Sequence, residues 1–172
     1  CGRGQRPREH SEYQEDVLQI DRVTRVVKGG RRLRFRATVI VGNKKGKVGL
    51  GIGKANEVIN AIQKAITQAK RNLIVVPLRN DTIPHDIALK YKAAKILLFP
   101  ACDGTGIIAG GAIRKIAELA GIKNLMSKIL GSNNRIVNAQ ATMLALKLLR
   151  QRPLPQAKSI EVTAAVMPTV EQ

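Results

Sequence analysis

Two glycine-rich runs, Gly46–Lys54 (GKVGLGIGK) and Gly104–Ala109 (GTGIIA), carry the residue types that cradle phosphates. Glycine lets backbone N–H groups close on an anion, and a helix N-terminus adds a favourable dipole. The first run fails as a nucleotide loop. At the required spacing its first glycine would fall at Val48, and Ala55 stands where a magnesium-binding hydroxyl is needed. The second run is a formal G-x-G-x-x-A, but a dinucleotide site also needs an acid ending a parallel strand ~20 residues on. Residues 121–131 (GIKNLMSKILG) hold no acid, and the nearest, Glu118, belongs to the preceding helix. Catalytic side chains are equally sparse. His10 lies in a polar tail, His85 follows Pro84 where a structural turn is the default, and Cys102 has no base partner in sequence beyond His85. The six carboxylates of residues 80–172 are scattered, so neither paired-acid chemistry nor a metal cage is expected. Cys1 and Cys102 make no disulfide framework. The reading is a non-enzyme, with no cofactor and no small-molecule substrate.

Charge supplies the chemistry that the glycines do not. The chain of 172 residues carries +18 at neutral pH, and that charge is concentrated. Residues 22–79 hold fifteen basic side chains against Glu57 alone, a net +14, whereas residues 1–21 are net −2 and residues 80–172 net +6. Lys and Arg displace condensed counterions from phosphates, so a polyanion partner relieves this self-repulsion. A membrane surface is the other polyanion, but it calls for a basic helix with a wide apolar face, and most of these charges fall on strands and turns. No uncharged apolar run approaches the ~18 residues of a membrane span. Nucleic acid is therefore the expected partner. Four aromatics (Tyr13, Phe35, Tyr91 and Phe99) are too few for a base-stacking platform, so shape and backbone of folded RNA are the expected targets. The candidate RNA-binding residues are Arg22, Arg25, Lys28, Gly29, Gly30, Arg31, Arg32, Arg34, Arg36, Lys44, Lys45, Lys47, Gly49, Gly51, Gly53 and Lys54.

The elements that must hold these residues follow from periodicity. Residues 17–27 (VLQIDRVTRVV) are β-rich, and Lys28–Arg31 reads as a turn. Arg32–Val41 alternates, with Leu33, Phe35, Ala37, Val39 and Val41 on one face and Arg34, Arg36 and Thr38 on the other. A four-residue loop, Asn43–Gly46, leads into the strand Lys47–Gly53. Ala55, Val58, Ile62, Ala65, Ile66, Ala69 and Leu73 then recur at helical spacing. The unit is β-β-β-α, a helix covering a three-stranded meander. Val48, Leu50 and Ile52 are expected to face that helix. Gly49, Gly51 and Gly53 would then share the outer face with Arg34 and Arg36, so of the two groups that could lie close to them, the chain's own helix or an RNA backbone, RNA is favoured.

Residues 74–82 read as a linker containing Pro77. Beyond it come a short strand near Ile83 and a buried strand at Ala94–Phe99. Gly104–Gly106 opens a helix from about Ala109 to Ala120, followed by a strand over Leu125–Leu130. A last helix over Ile136–Leu149 is capped by Ser132–Asn134. The expected organisation is a tail (1–14), an N-terminal domain (15–78), a C-terminal α+β domain (79–152) and an extended tail (153–172). The polar N-terminus lacks the apolar core of a secretory signal, so a reducing compartment is expected. A start at Cys1 is expected of a processed or trimmed chain.

RVTRVVKGGR (Arg22–Arg31), VGLGIGK (Val48–Lys54), GTGIIAGG (Gly104–Gly111) and GSNN (Gly131–Asn134) together resemble the family of the fifth protein of the bacterial-type small ribosomal subunit. The resemblance covers roughly residues 15–150, and Ile83-Pro84-His85 also fits it. It implies a double-stranded-RNA-binding-like N-terminal domain and a C-terminal α+β domain of the family's own type, shared as a fold with some small-molecule kinases. It further implies binding to small-subunit rRNA, contact with the fourth and eighth small-subunit proteins, a place along the mRNA entry channel and a role in translational accuracy. By position, Lys28–Arg31 matches the loop near which spectinomycin acts, and Arg22 and Arg31 fall where the family approaches mRNA and rRNA. Gly104, Gly106 and Arg114 fall at the boundary with the fourth protein. Gly106 and Arg114, eight positions apart, are expected near one face of a helix. Cys102 departs from the family's usual small non-thiol residue, and Gly131–Asn134 leans toward cyanobacterial or plastid versions. The implied location is the small ribosomal subunit, in bacterial cytoplasm or a chloroplast interior.

Overall fold

The structure is a computed structural model and describes residues 12–150. The proposed tails fall largely outside these residues. Strands β1 (Gln14–Val27), β2 (Gly30–Gly42), β3 (Lys47–Ala55) and β4 (Leu73–Val75) form one antiparallel sheet in that order. Helix α1 (Val58–Arg71) connects β3 to β4. The second sheet contains β5 (Ile87–Tyr91), β6 (Ala94–Pro100), β7 (Ile107–Ile108) and β8 (Leu125–Gly131), in the order β5-β6-β8-β7. Within it β7 runs parallel to β8 and the other pairs are antiparallel. Helices α2 (Gly111–Ala120) and α3 (Arg135–Leu148) touch strands of both sheets.

Four layers result: α1, the first sheet, the pair α2 and α3, and the second sheet. Two cores fill them. Ala37, Val39 and Val41 of β2 pack with Ala61, Ala65 and Ala69 of α1. Ile40 and Val48 point the other way, into a larger core with Ile96 and Leu98 of β6 and Ile113 and Ile116 of α2. Strand β2 is thus buried on both faces from Ala37 to Gly42. No helix among the described residues is long and apolar enough to cross a membrane.

The meander has a fourth strand, β4, where a linker was expected from residue 74 onward. Pro77 bars strand only beyond Val75, so three residues still pair. The strand expected near Ile83 lies at Ile87–Tyr91, and Ile83 is a core residue in the connection. The second glycine loop leads first into β7, and α2 begins only at Gly111. Asn134 caps α3 as its sequence predicts, its Oδ1 accepting from the Ile136 N–H at 3.0 Å.

The glycines of β3 face inward, contrary to the sequence expectation. A Cβ at Gly49, Gly51 or Gly53 would lie 2.3, 2.0 or 2.2 Å from the carbonyl oxygen of Ala69, Ala65 or Ala61. Their missing side chains admit α1 rather than RNA. Size misled: Val48 and Leu50 seek a core, but that core lies on the opposite side, under α2 and α3.

Candidate nucleic-acid interface

Lys28 and Gly29 form the two-residue turn between β1 and β2, closed by the pairing of Val27 with Gly30. Gly29 has φ +93°, a conformation that a Cβ resists, whereas Gly30 lies outside that region and has open space where a Cβ would project. Of the two glycines in this turn region, only Gly29 is conformationally required. Arg22, Arg25, Lys28, Arg31, Arg32 and Arg34 are all exposed along this ribbon, and so is Lys54 on β3. Val26 is 76% exposed and Val23 39%, so the ribbon's distal part stands clear of both cores.

Arg36 behaves differently. It is half-buried, and its Nε and Nη2 donate to Asp21 Oδ2 at 3.1 and 2.7 Å. That hydrogen-bonded pair, with a further bond from Gln19, holds the Asp21 carboxyl below the usual carboxylate range. A depressed folded-state pKa stabilises above the unfolded value, and the contribution fades as pH falls through the folded one. Asp21→Asn is therefore expected to lower the urea midpoint at neutral pH. The gap to the parent chain should begin to narrow below about pH 4, near the ordinary aspartate value, and vanish only below the depressed folded value. Paired urea titrations at pH 7 and pH 3 check this, and a gap independent of pH would contradict it.

The remaining predicted cations lie elsewhere. Lys44 and Lys45 sit in the β2–β3 loop and Lys47 starts β3, at the far end of β2 from the ribbon tip. Twelve residue steps at ~3.3 Å separate the two ends by ~40 Å. The loop is an internal connector. Asn43 Oδ1 accepts from the Lys45 and Lys47 N–H groups, while the Lys44 and Gly46 N–H groups donate to the Leu119 and Ala120 carbonyls at the end of α2. The predicted basic set is thus two regions.

Gly104 and Gly106 precede β7, so Gly106 and Arg114 do not share a helix face. They are joined instead through Ile107, whose carbonyl accepts from Arg114 Nη2 at 3.3 Å. The loop's own backbone is already engaged. Gly106 N–H donates to Asn124 Oδ1 at 3.1 Å, and Leu125 N–H donates to the Gly106 carbonyl at 3.0 Å. Asn124, buried and also donating to Asp103, organises this loop. Its only sequence signal is an amide at the entrance to an apolar strand. Arg114 lines a cleft of about 1080 Å³ with Glu15, Asp16, Glu118 and Lys123, where β1, the β2–β3 loop and α2 meet. Lys115, unmarked in the sequence, crosses to Asp16 Oδ1 and the Val17 carbonyl, both at 3.0 Å. Both ring nitrogens of His85 are used structurally: Nδ1 lies 2.8 Å from the Asp86 carbonyl, and Nε2 accepts from the Arg150 N–H at 3.1 Å. No group of three or more metal-ligating side chains occurs among the described residues.

Fold and site together define a two-domain α+β protein with an exposed basic ribbon on its N-terminal sheet. The chain belongs to the ribosomal protein S5 family: residues 13–77 match the family's N-terminal domain and residues 89–158 its C-terminal domain. Small ribosomal subunit protein uS5 of Thermotoga petrophila is 54% identical over 155 residues, covering 90% of this chain and 87% of that protein. Campylobacter jejuni uS5 is 55% identical over 139 residues, 81% of this chain and 95% of the relative. Spinach uS5c, a chloroplast protein, is 53% identical over 140 residues, 81% of this chain but 46% of its own length. The chain thus spans less than half of the spinach protein and most of the bacterial ones. The family is one of ribosomal proteins, not of enzymes.

Proposed function

We propose that this chain is a structural constituent of the small ribosomal subunit and binds small-subunit rRNA chiefly through the β1–β2 ribbon. One observation carries the reading: the ribbon extends beyond both cores, and six of its cations are exposed. Uncompensated guanidinium groups on a two-stranded ribbon suit the phosphates of folded RNA, and the scarcity of aromatics argues against base stacking. Arg31 near the tip and Arg22 nearer the base of the ribbon are the residues assigned to the mRNA entry region. The loop at Gly104–Gly106, with Arg114 on the mixed-charge cleft, is assigned to the fourth small-subunit protein. The eighth protein is the other proposed neighbour.

Phosphate-dominated binding has a measurable signature. Affinity for a small-subunit rRNA fragment should fall linearly in log K against log salt, by roughly 0.9 per duplex phosphate neutralised. Several contacts should give a slope several-fold that value in fluorescence titrations from low to moderate salt. A salt-independent affinity would contradict the proposal.

A further inference from the structure

The two faces of the β1–β2 ribbon are not equivalent. Residues directly opposite each other in an antiparallel pair share a face. The register places Asp21 with Arg36, Val23 with Arg34 and Arg25 with Arg32 on one face. Arg22 with Phe35, Thr24 with Leu33 and Val26 with Arg31 occupy the other. Strand β3 widens the first face by Lys54, which stands opposite Arg36.

Arg25, Arg32, Arg34 and Lys54 of that first face, with Val23, line a hollow of about 220 Å³ that Phe35 also borders from between Arg34 and Arg36 in β2. No carboxylate lines it, and among the described residues none of the four cations forms an ion pair. Arg25 against Arg32 is a like-charge cross-strand pair, which destabilises a ribbon that leaves it uncompensated. Two pairs nearer the sheet on this face, Asp21 neutralises Arg36. The chain therefore balances the cation at the base of this face and leaves four open around a concavity.

We propose that this hollow is the seat of one phosphodiester phosphate of a folded RNA strand, held by Arg25, Arg32, Arg34 and Lys54. The proposal rests on the RNA-binding reading and narrows it to one face and one group of four residues. Guanidinium forks match phosphate oxygens with paired hydrogen bonds, and the Lys54 ammonium adds a point charge. The volume is several times the ~30 Å³ share of a water molecule, so the anion and bridging waters both fit. Occupancy would also relieve the Arg25–Arg32 repulsion, coupling ribbon order to RNA binding. Arg36 is a positioning residue in this arrangement; it fixes the base of the ribbon through Asp21 and does not hold the phosphate.

Two probes test the seat in the 172-residue chain. Inorganic phosphate, followed by NMR of the arginine Nε–H groups, should shift Arg25, Arg32 and Arg34 saturably and leave Arg36 unmoved. Equal, non-saturating shifts at Arg22 and Arg31 would overturn the proposal. With a small-subunit rRNA fragment, Arg25→Gln combined with Arg32→Gln should flatten the log K against log salt slope by ~0.9, the value for one lost duplex phosphate. Lys95→Gln, an exposed cation of β6 on the second sheet, should leave that slope unchanged. Undiminished RNA binding with the parental slope in the double variant would refute the seat while leaving the RNA-binding reading intact. A parent chain that does not bind the RNA at all would instead refute that reading, and the phosphate titration would then judge the seat alone.

Discussion

Gly51→Val is expected to be among the most damaging single substitutions in the N-terminal half, costing about 3 kcal/mol or more. The Cβ alone would meet the Ala65 carbonyl oxygen at 2.0 Å and the Ala69 nitrogen at 2.6 Å, and both are helix backbone. No rotamer change relieves such a contact, so α1 must lift from β3 and open the core around Val39 and Ala65. Gly30→Val is the matched control. Nothing lies within 4 Å of its Cβ position, and its effect should stay within about 0.5 kcal/mol. Equilibrium urea unfolding of the two variants reads the difference. Similar midpoints would mean that α1 does not pack on the glycines as described.

The second large effect is expected at Gly121. It ends α2 at φ +86°, where its N–H donates to the Glu118 carbonyl, and its Cβ position lies 2.2 Å from the Lys44 carbonyl oxygen. Gly121→Ala thus combines left-handed strain of roughly 1–2 kcal/mol with a clash against backbone. The β2–β3 loop should be pushed off the end of α2, breaking the Lys44-to-Leu119 and Gly46-to-Ala120 hydrogen bonds. Amide hydrogen exchange at Lys44 and Gly46 should accelerate at least tenfold, while Val39 at the centre of β2 stays protected. Unchanged protection at the two loop amides would contradict this account of how the two sheets are held together.

Much of this architecture is legible in the sequence wherever a local period settles it. Alternation over Arg32–Val41 marks β2, and Ala37, Val39 and Val41 are indeed buried on one face. Helical spacing from Ala55 onward marks α1, and Asn134 marks the start of α3. The inverted reading of β3 shows what a local period omits. Alternation in KVGLGIGK separates two faces but does not say which one meets the helix, because both are buried against different partners. A signal was present in the spacing. Glycines every second residue of a strand repeat at ~6.6 Å, and alanines every fourth residue of a helix at ~6 Å. Gly49, Gly51 and Gly53 therefore run nearly in step with Ala69, Ala65 and Ala61, as a close helix–strand contact requires.

The site was legible as composition but not as geometry. Fifteen cations in residues 22–79 are the basis for proposing a polyanion partner, yet they do not separate the ribbon from the β2–β3 loop at the opposite end of β2. The neutralisation of Arg36 depends on pairing with Asp21 across the hairpin, and the grouping of Arg25 with Arg32 depends on register. Register follows from the position of the Lys28–Gly29 turn, and shifting it by one residue would exchange the two faces. Links such as Lys115 to Asp16 and Asn124 to Gly106 join distant parts of the chain and leave no periodic trace.

The central claim is that the β1–β2 ribbon, and not the β2–β3 loop, is the main rRNA-binding element. A density map of a small ribosomal subunit containing this chain tests it most directly. The account predicts rRNA phosphates within hydrogen-bonding distance of Arg25, Arg32 and Arg34, with Asp21 still closed on Arg36. It also predicts that the β2–β3 loop remains seated on the end of α2. A map showing the ribbon in solvent or packed only against protein, with rRNA gathered at Lys44 and Lys45, would contradict it.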